Sequence, residues 1–185
     1  LPIIFPTNKS ENMVICSSGV GAKDYSCLMV DHIPCLDFLE KTQCFPRWLS
    51  GDQSKTTEDE LDFGKSSEMP SGFSPEALPH FQAAYPGKPI TEDNLFYYIY
   101  GILHSEEYRT RYANNLMKEL PRIPRVATYG QFMAFVEAGQ ELARLHVHFE
   151  DVKPYGGVTI EYTKSGQPSY RVKQMKWGKI KGKIG

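Results

Sequence analysis

Short apolar runs mark the first part of the chain, and helical periodicity replaces them after residue 74. The run NMVICSS has β-branched character, GVGAKD is a glycine-containing connection, and YSCLMVDHI is a second apolar run. Residues 12–34 therefore predict a β-hairpin that Pro34 ends. Residues 50–74 are polar, acidic and punctuated by glycine, the pattern of a long loop or a variable insertion. Ser74-Pro75-Glu76 predicts a helix start, with a capping serine, proline at the first position and an acid in the first turn. That helix runs to about Ala84, before Tyr85-Pro86-Gly87. Thr91 caps a second helix, in which Leu95, Tyr98, Ile99, Ile102 and Leu103 make one apolar face. Ser105-Glu106-Glu107 restarts a third, with Tyr108, Tyr112 and Leu116 four apart, and Pro121 and Pro124 stop it. Thr128-x-x-Gln131 is a capping box. The helix it opens carries Phe132, Phe135, Val136, Leu142 and Ala143 on one side and ends near His146. After Pro154-Tyr155-Gly156-Gly157, the runs VTIEYT and YRVKQMKW predict two strands joined by KSGQPS. Strands, four helices and strands in that order predict a mixed α+β fold, not a doubly wound sheet. The expected organisation is a β-rich segment at 1–50, an acidic variable loop at 51–73, a helical subdomain at 74–150 and a basic β segment at 151–185.

Composition narrows the class. With 185 residues, 41% hydrophobic and 23% charged, the chain is neither a disordered polymer, a coiled coil nor a collagen-like repeat. No apolar run approaches the roughly eighteen residues that span a bilayer. The opening LPIIFP lacks a methionine, a basic stretch and a cleavage site, so it is not read as a signal peptide, and a start on leucine suggests an excised piece of a longer protein. The cysteines Cys16, Cys27, Cys35 and Cys44 contain no CxxC spacing, and each sits in an apolar, strand-like setting. They are read as small buried hydrophobes in a reducing, cytoplasmic compartment, with disulfide pairing left open in principle.

Charge is distributed unevenly. The formal net charge is −1, yet residues 51–94 carry −6 and residues 164–185 carry +7 with no acid among them. Clustered lysine and arginine supply the counterion release that dominates affinity for a phosphate backbone. A solvated lysine-rich tail is the plainer reading. Two features point away from it: Tyr170 and Trp177 interleave with the charges, and residues 170–176 alternate as a strand would.

No catalytic constellation stands out. There is no GxxxxGK[ST] loop, no GxGxxG, no HExxH and no GxSxG. Ser18-Gly19-Val20-Gly21 reads as a hairpin loop and not a phosphate cradle. His146 and His148, followed by Glu150 and Asp151, are spaced poorly for a closed metal site and read as packing or solvent-tipped histidines. His104, at the end of an apolar helix face, reads as a satisfied structural residue. The carboxylates Glu58, Asp59, Glu60 and Asp62 form a charge run of the kind found in solvated loops.

One long stretch is more specific than any short motif. Residues 91–124, TEDNLFYYIYGILHSEEYRTRYANNLMKELPRIP, contain YGxLHS (Tyr100–Ser105), then Tyr108-Arg109 and Tyr112, then LPRIP (Leu120–Pro124). This series resembles the signature of the C-terminal specificity domain of type ISP restriction-modification enzymes. FxxFVEAGQELARLHVHFE is similar to that family's next helix, and the segment from Asn12 through CFP at 44–46 to its preceding β segment. The likeness runs from about 12 to 176 and is poorest at 51–72. It implies a large phage-defence enzyme: nuclease, ATP-dependent translocating helicase and adenine-N6 methyltransferase, ending in a target-recognition domain. The enzyme would use S-adenosylmethionine, ATP and Mg2+, but this chain itself would hold no cofactor and perform no catalysis.

On that resemblance the expected partners are double-stranded DNA and the parent's methyltransferase domain, with no membrane. Expected phosphate contacts are Arg171, Lys173, Lys176 and Lys179, with Gln174 among them as a base reader, because Gln pairs with adenine in the major groove. Arg122 and Arg125 form a second basic site, or else pin a turn between helices. Ser17, Ser18 and Lys23 in the first hairpin loop form a third. Tyr108 and Tyr112 are expected in the core. The alternative function is a protein-interaction scaffold docking the methyltransferase to the motor, and a free-standing enzyme using His104 or His146 has only isolated histidines behind it.

Overall fold

A computed structural model describes residues 3–7, 9–35, 37–50, 70–153 and 155–157. The chain divides into two compact units, Leu1–Val152 and Lys153–Gly185, and the architecture below is that of the first. Its class is α+β. Three short strands come first: β1 (Val14–Ser17), β2 (Cys27–Val30) and β3 (Gln43–Pro46). They form an antiparallel sheet in the order β2-β1-β3. The expected hairpin is β1–β2, with Val14 opposite Val30 and Ser17 opposite Cys27. Helices α1 (Ala77–Ala84), α2 (Glu92–His104), α3 (Glu106–Arg111), α4 (Ala113–Leu116) and α5 (Tyr129–Val147) follow, with a 3-10 turn at Phe149–Asp151.

Central strand β1 is buried on both faces. Its alternation sends Ile15 towards the helices, where Cys27 and Met29 join it in the main core. Val14 and Cys16 face the other way and pack with Phe5, Val30, Leu39 and Cys44. The main core is aromatic. Tyr98 of α2 stacks on Phe132 of α5 at 4.6 Å, and Phe81 of α1 and Tyr85, just after that helix, close around them. Tyr98, Leu103, Tyr108 and Leu116 are buried as the helical spacing predicts, while Ile99 and Tyr112 are half-buried.

Two helix starts follow the expected chemistry. Thr91 and Thr128 each accept from the third backbone N–H of their helix, and Asn94 and Gln131 return the bond to complete capping boxes. Elsewhere the local expectation fails. The Ser74 side chain does not cap α1; Ala77 N–H donates to the Ser74 carbonyl and Glu76 takes the cap position in helical geometry. The third helix breaks at Tyr112 into two short pieces. Cys35 is exposed in the loop after β2 and Cys44 is half-buried, so only Cys16 and Cys27 are the buried hydrophobes expected.

The acidic segment 51–69 lies outside the described residues; the described residues on either side of it are hydrogen-bonded to each other. Leu49 N–H donates to the Pro70 carbonyl at 2.8 Å and Gly72 N–H to the Arg47 carbonyl at 3.0 Å. Arg47 itself is buried, donating to Glu92 (3.1 Å) and Asp93 (2.6 Å) in the first turn of α2 and lying 3.7 Å over the Trp48 ring. This clamp joins the sheet to the N-terminus of α2, where carboxylates also meet the positive end of the helix dipole. The expected second hairpin, VTIEYT and YRVKQMKW, lies outside the described residues.

Candidate nucleic-acid interface

The segment between α4 and α5 has no regular hydrogen bonding of its own, and two of its residues are prolines. Tyrosine hydroxyls supply the missing partners. Tyr108 donates to the Arg122 carbonyl (2.9 Å), Tyr98 to the Pro124 carbonyl (2.6 Å), and Tyr85 to the Val126 carbonyl (2.7 Å). The Tyr98 hydroxyl also accepts from Val126 N–H at 3.2 Å. Burial pushes the Tyr98 phenol up to about 12, so it remains a neutral donor. Three carbonyls at alternate residues are thus held inward, as buried backbone acceptors require. Ile123 and Val126 turn into the core, and Arg122 and Arg125 stay exposed.

Arg122 pairs with Glu119 at 2.8 Å, a solvent-exposed contact worth little. Arg125 reaches the carbonyl of His80 at 3.4 Å, a weak tie to α1. Neither guanidinium is buried, so both remain available at the surface. Tyr108, Tyr112, Leu116 and Arg122 line a cleft of about 310 Å³ beside this segment.

A second exposed surface forms where three loops meet. Gly21 N–H donates to the Met117 carbonyl and Gly19 N–H to the Glu40 carbonyl, both at 2.9 Å. Lys41 Nζ reaches the Gly21 carbonyl at 3.0 Å. A Cβ on Gly19 would meet the Lys41 carbonyl oxygen at 2.2 Å, and Gly21 has φ 78°, so glycine is required at both. Exposed Lys23, Lys41 and Lys118 sit on these loops beside exposed Asp24 and Glu40, and Glu40 Oε2 accepts from Lys23 N–H at 3.0 Å. Lys41 and Lys118 were not singled out from sequence, because they are distant in the chain and only the loop packing unites them.

Ser17 and Ser18 do not join this surface. Both are buried, and Ser18 Oγ accepts from Ser26 N–H at 2.9 Å, closing the hairpin. Ser17 Oγ points to the Ser18 carbonyl. These two expected contacts are therefore placed inside the fold, where their hydroxyls stabilise the turn. Arg171, Lys173, Gln174, Lys176 and Lys179 lie outside the described residues.

Among the described residues no group of three His, Cys, Asp or Glu side chains converges. His104 and His146 instead pack on Tyr100, whose hydroxyl hydrogen-bonds His146 Nδ1 at 2.5 Å. His104 is less well satisfied than its position suggested, because its Nε2 is buried without a partner. On another side, Ile33, Phe38 and Phe149 are exposed around a groove of about 750 Å³ between β2 and the end of α5. Among the described residues no helix is long and apolar enough to cross a membrane.

The type ISP C-terminal specificity domain family matches residues 2–184. None of the curated protein sequences matches the chain. Among solved structures, the DrdV–DNA complex is 37% identical over 83% of this chain, with a TM-score of 0.69. A nuclease-deletion mutant of the type ISP restriction-modification enzyme LlaGI, bound to a DNA substrate mimic, is 30% identical over 98% of this chain, with a TM-score of 0.67. This chain spans only 14% of the length of each of those proteins. A family match over nearly every residue, together with the YGxLHS and LPRIP series and the tyrosines that fasten the latter, shows that the chain belongs to the type ISP C-terminal specificity domain family.

Proposed function

We propose that this chain is the DNA target-recognition module of a type ISP restriction-modification enzyme. The observation that carries the reading is the family match over residues 2–184, supported by two similar enzymes whose structures hold DNA. In this reading the chain does no chemistry itself. Base methylation needs a cofactor pocket and a cavity for a flipped adenine, and ATP hydrolysis needs a phosphate-cradling loop; S-adenosylmethionine, ATP and Mg2+ would serve other parts of a longer enzyme. Exposed Arg122, Arg125, Lys23, Lys41 and Lys118, with Arg171, Lys173, Lys176 and Lys179 of the +7 segment, supply the phosphate contacts. Gln174 is the base reader in this scheme.

The exposed apolar side chains Ile33, Phe38 and Phe149 favour a second role, docking against a methyltransferase domain in the same enzyme. Selection of the enzyme's preferred duplexes from a random pool separates the two. Recognition predicts a consensus bound at least about a thousandfold more tightly than random duplex, transferred when residues 2–184 are exchanged with those of a relative. A consensus that stays unchanged after the exchange would rule recognition out and leave docking.

A further inference from the structure

Strands β1 and β3 set two thiols directly opposite one another. Cys16 and Cys44 are register partners, and their sulfurs lie 3.9 Å apart. Partners in an antiparallel pair have Cα atoms about 4.5–5.5 Å apart. That lies inside the roughly 4.4–6.8 Å that a disulfide bridges. Closing the gap to a bond therefore needs side-chain rotation and no movement of the ladder. Access differs between the two. Cys16 is fully buried beneath Phe5 and Val14, whereas Cys44, on the outer strand of the sheet among the described residues, is partly open. Burial, with Cys44 alongside, pushes the Cys16 thiol far above its usual range. The other two cysteines have no such arrangement. Cys27 faces the helices opposite Ser17, and Cys35 is exposed in a loop.

We propose that Cys16 and Cys44 form an oxidisable dithiol, a modification site for small-molecule disulfides in which Cys44 is attacked first and Cys16 resolves. The Cys44 thiolate attacks one sulfur of the small disulfide, glutathione disulfide for instance. That S–S bond breaks, and one glutathione leaves as thiolate and takes up the proton Cys44 has lost. Cys16 then gives its proton to water and, as the thiolate, displaces the second glutathione from Cys44; the leaving thiolate takes up a proton from water. The two cysteines lose two electrons, the glutathione disulfide gains them, and one intrachain bond and two glutathiones result. The bond ties β3 to β1 immediately before the Arg47 clamp, across 28 positions of chain. It thereby restricts the unfolded chain.

The purified protein is equilibrated in glutathione buffers of increasing oxidised fraction, free thiols are blocked in acid, and peptides are mapped by mass. The expected product is a Cys16–Cys44 cross-linked peptide, accompanied by a rise in Tm of roughly 5–10 °C that dithiothreitol reverses. Cys16→Ser should stop at glutathione held on Cys44, and Cys44→Ser should give no intrachain bond. The wild-type map stands without either variant. Glutathione remaining on Cys44 with Cys16 still a free thiol, or oxidation confined to Cys35, overturns the proposal.

Discussion

His104 closes α2 with its ring 4.7 Å from Tyr100 and 5.3 Å from His146, and its Nε2 is buried without a partner. A protonated imidazole there would lose hydration, face the Arg109 guanidinium and approach a second histidine. Burial first, then Arg109, then His146, hold it down to about 4. His146 is lowered as well, by burial. In an unfolded chain histidine takes up its proton near 6.5. Between that value and about 4 the unfolded state binds more protons than the folded one, so stability falls as the solution is acidified through this window and levels off below it. The His104 contribution has an upper bound of roughly 3 kcal/mol, reduced by whatever solvent reaches the ring. His104→Leu should flatten much of the slope of urea midpoint against pH between 6.5 and 4. An unchanged slope would mean that His104 is solvated in solution and that other groups set the acid limit.

Helices α2 and α5 cross where both lack a side chain. A Cβ on Gly139 would meet the Tyr97 carbonyl oxygen at 2.0 Å, and one on Gly101 the Phe135 carbonyl oxygen at 2.4 Å. Those are backbone atoms on packed helices and cannot rotate aside. Gly139→Ala should cost on the order of 1–3 kcal/mol despite alanine's better helix propensity, because the axes must separate. Gly130, in the first turn of the same helix, has open space at its Cβ, so Gly130→Ala should stabilise by about 0.5–1 kcal/mol. Urea unfolding of the two variants checks the pair, and equal effects would contradict the close crossing. This crossing also shows where sequence reading stops. Apolar periodicity found the buried faces of both helices, and Thr-x-x-Gln at 128–131 announced a cap that the structure forms. Periodicity marks large side chains, however, and a glycine at a crossing is legible only once the partner helix is known. The same limit applies to the site. Arg122 and Arg125 stood out beside prolines, but the tyrosine hydroxyls that fix their segment come from 14 to 41 residues away. Ser17 and Ser18 looked accessible because a hairpin loop begins there; the loop packs against Glu40 and Met117 and takes them inside.

At the scale of the whole chain, charge is the organising feature: within a net −1, residues 51–94 carry −6 and residues 164–185 carry +7 with no acid among them. A recognition module built this way would be drawn to DNA by its basic segment and would read sequence through only a few side chains. These two contributions respond differently to salt. Counterion release gives a log–log slope of affinity against salt of roughly −0.9 per neutralised phosphate, whereas base-edge contacts change affinity without changing the slope. Lys173→Glu with Lys176→Glu should therefore weaken binding to every duplex alike and make the slope shallower by about 2. Arg122→Glu should act in the same direction with a smaller change of slope, because Glu119 already engages that guanidinium. Gln174→Ala, by contrast, should leave the slope intact and lower affinity only for the preferred duplex, by about 1–3 kcal/mol for a lost bidentate contact. Fluorescence-anisotropy titrations across a salt series read all three. An affinity independent of salt, or a double lysine reversal without effect, would remove the 164–185 segment from the interface. Loss confined to one sequence after that reversal would make Lys173 and Lys176 base readers instead.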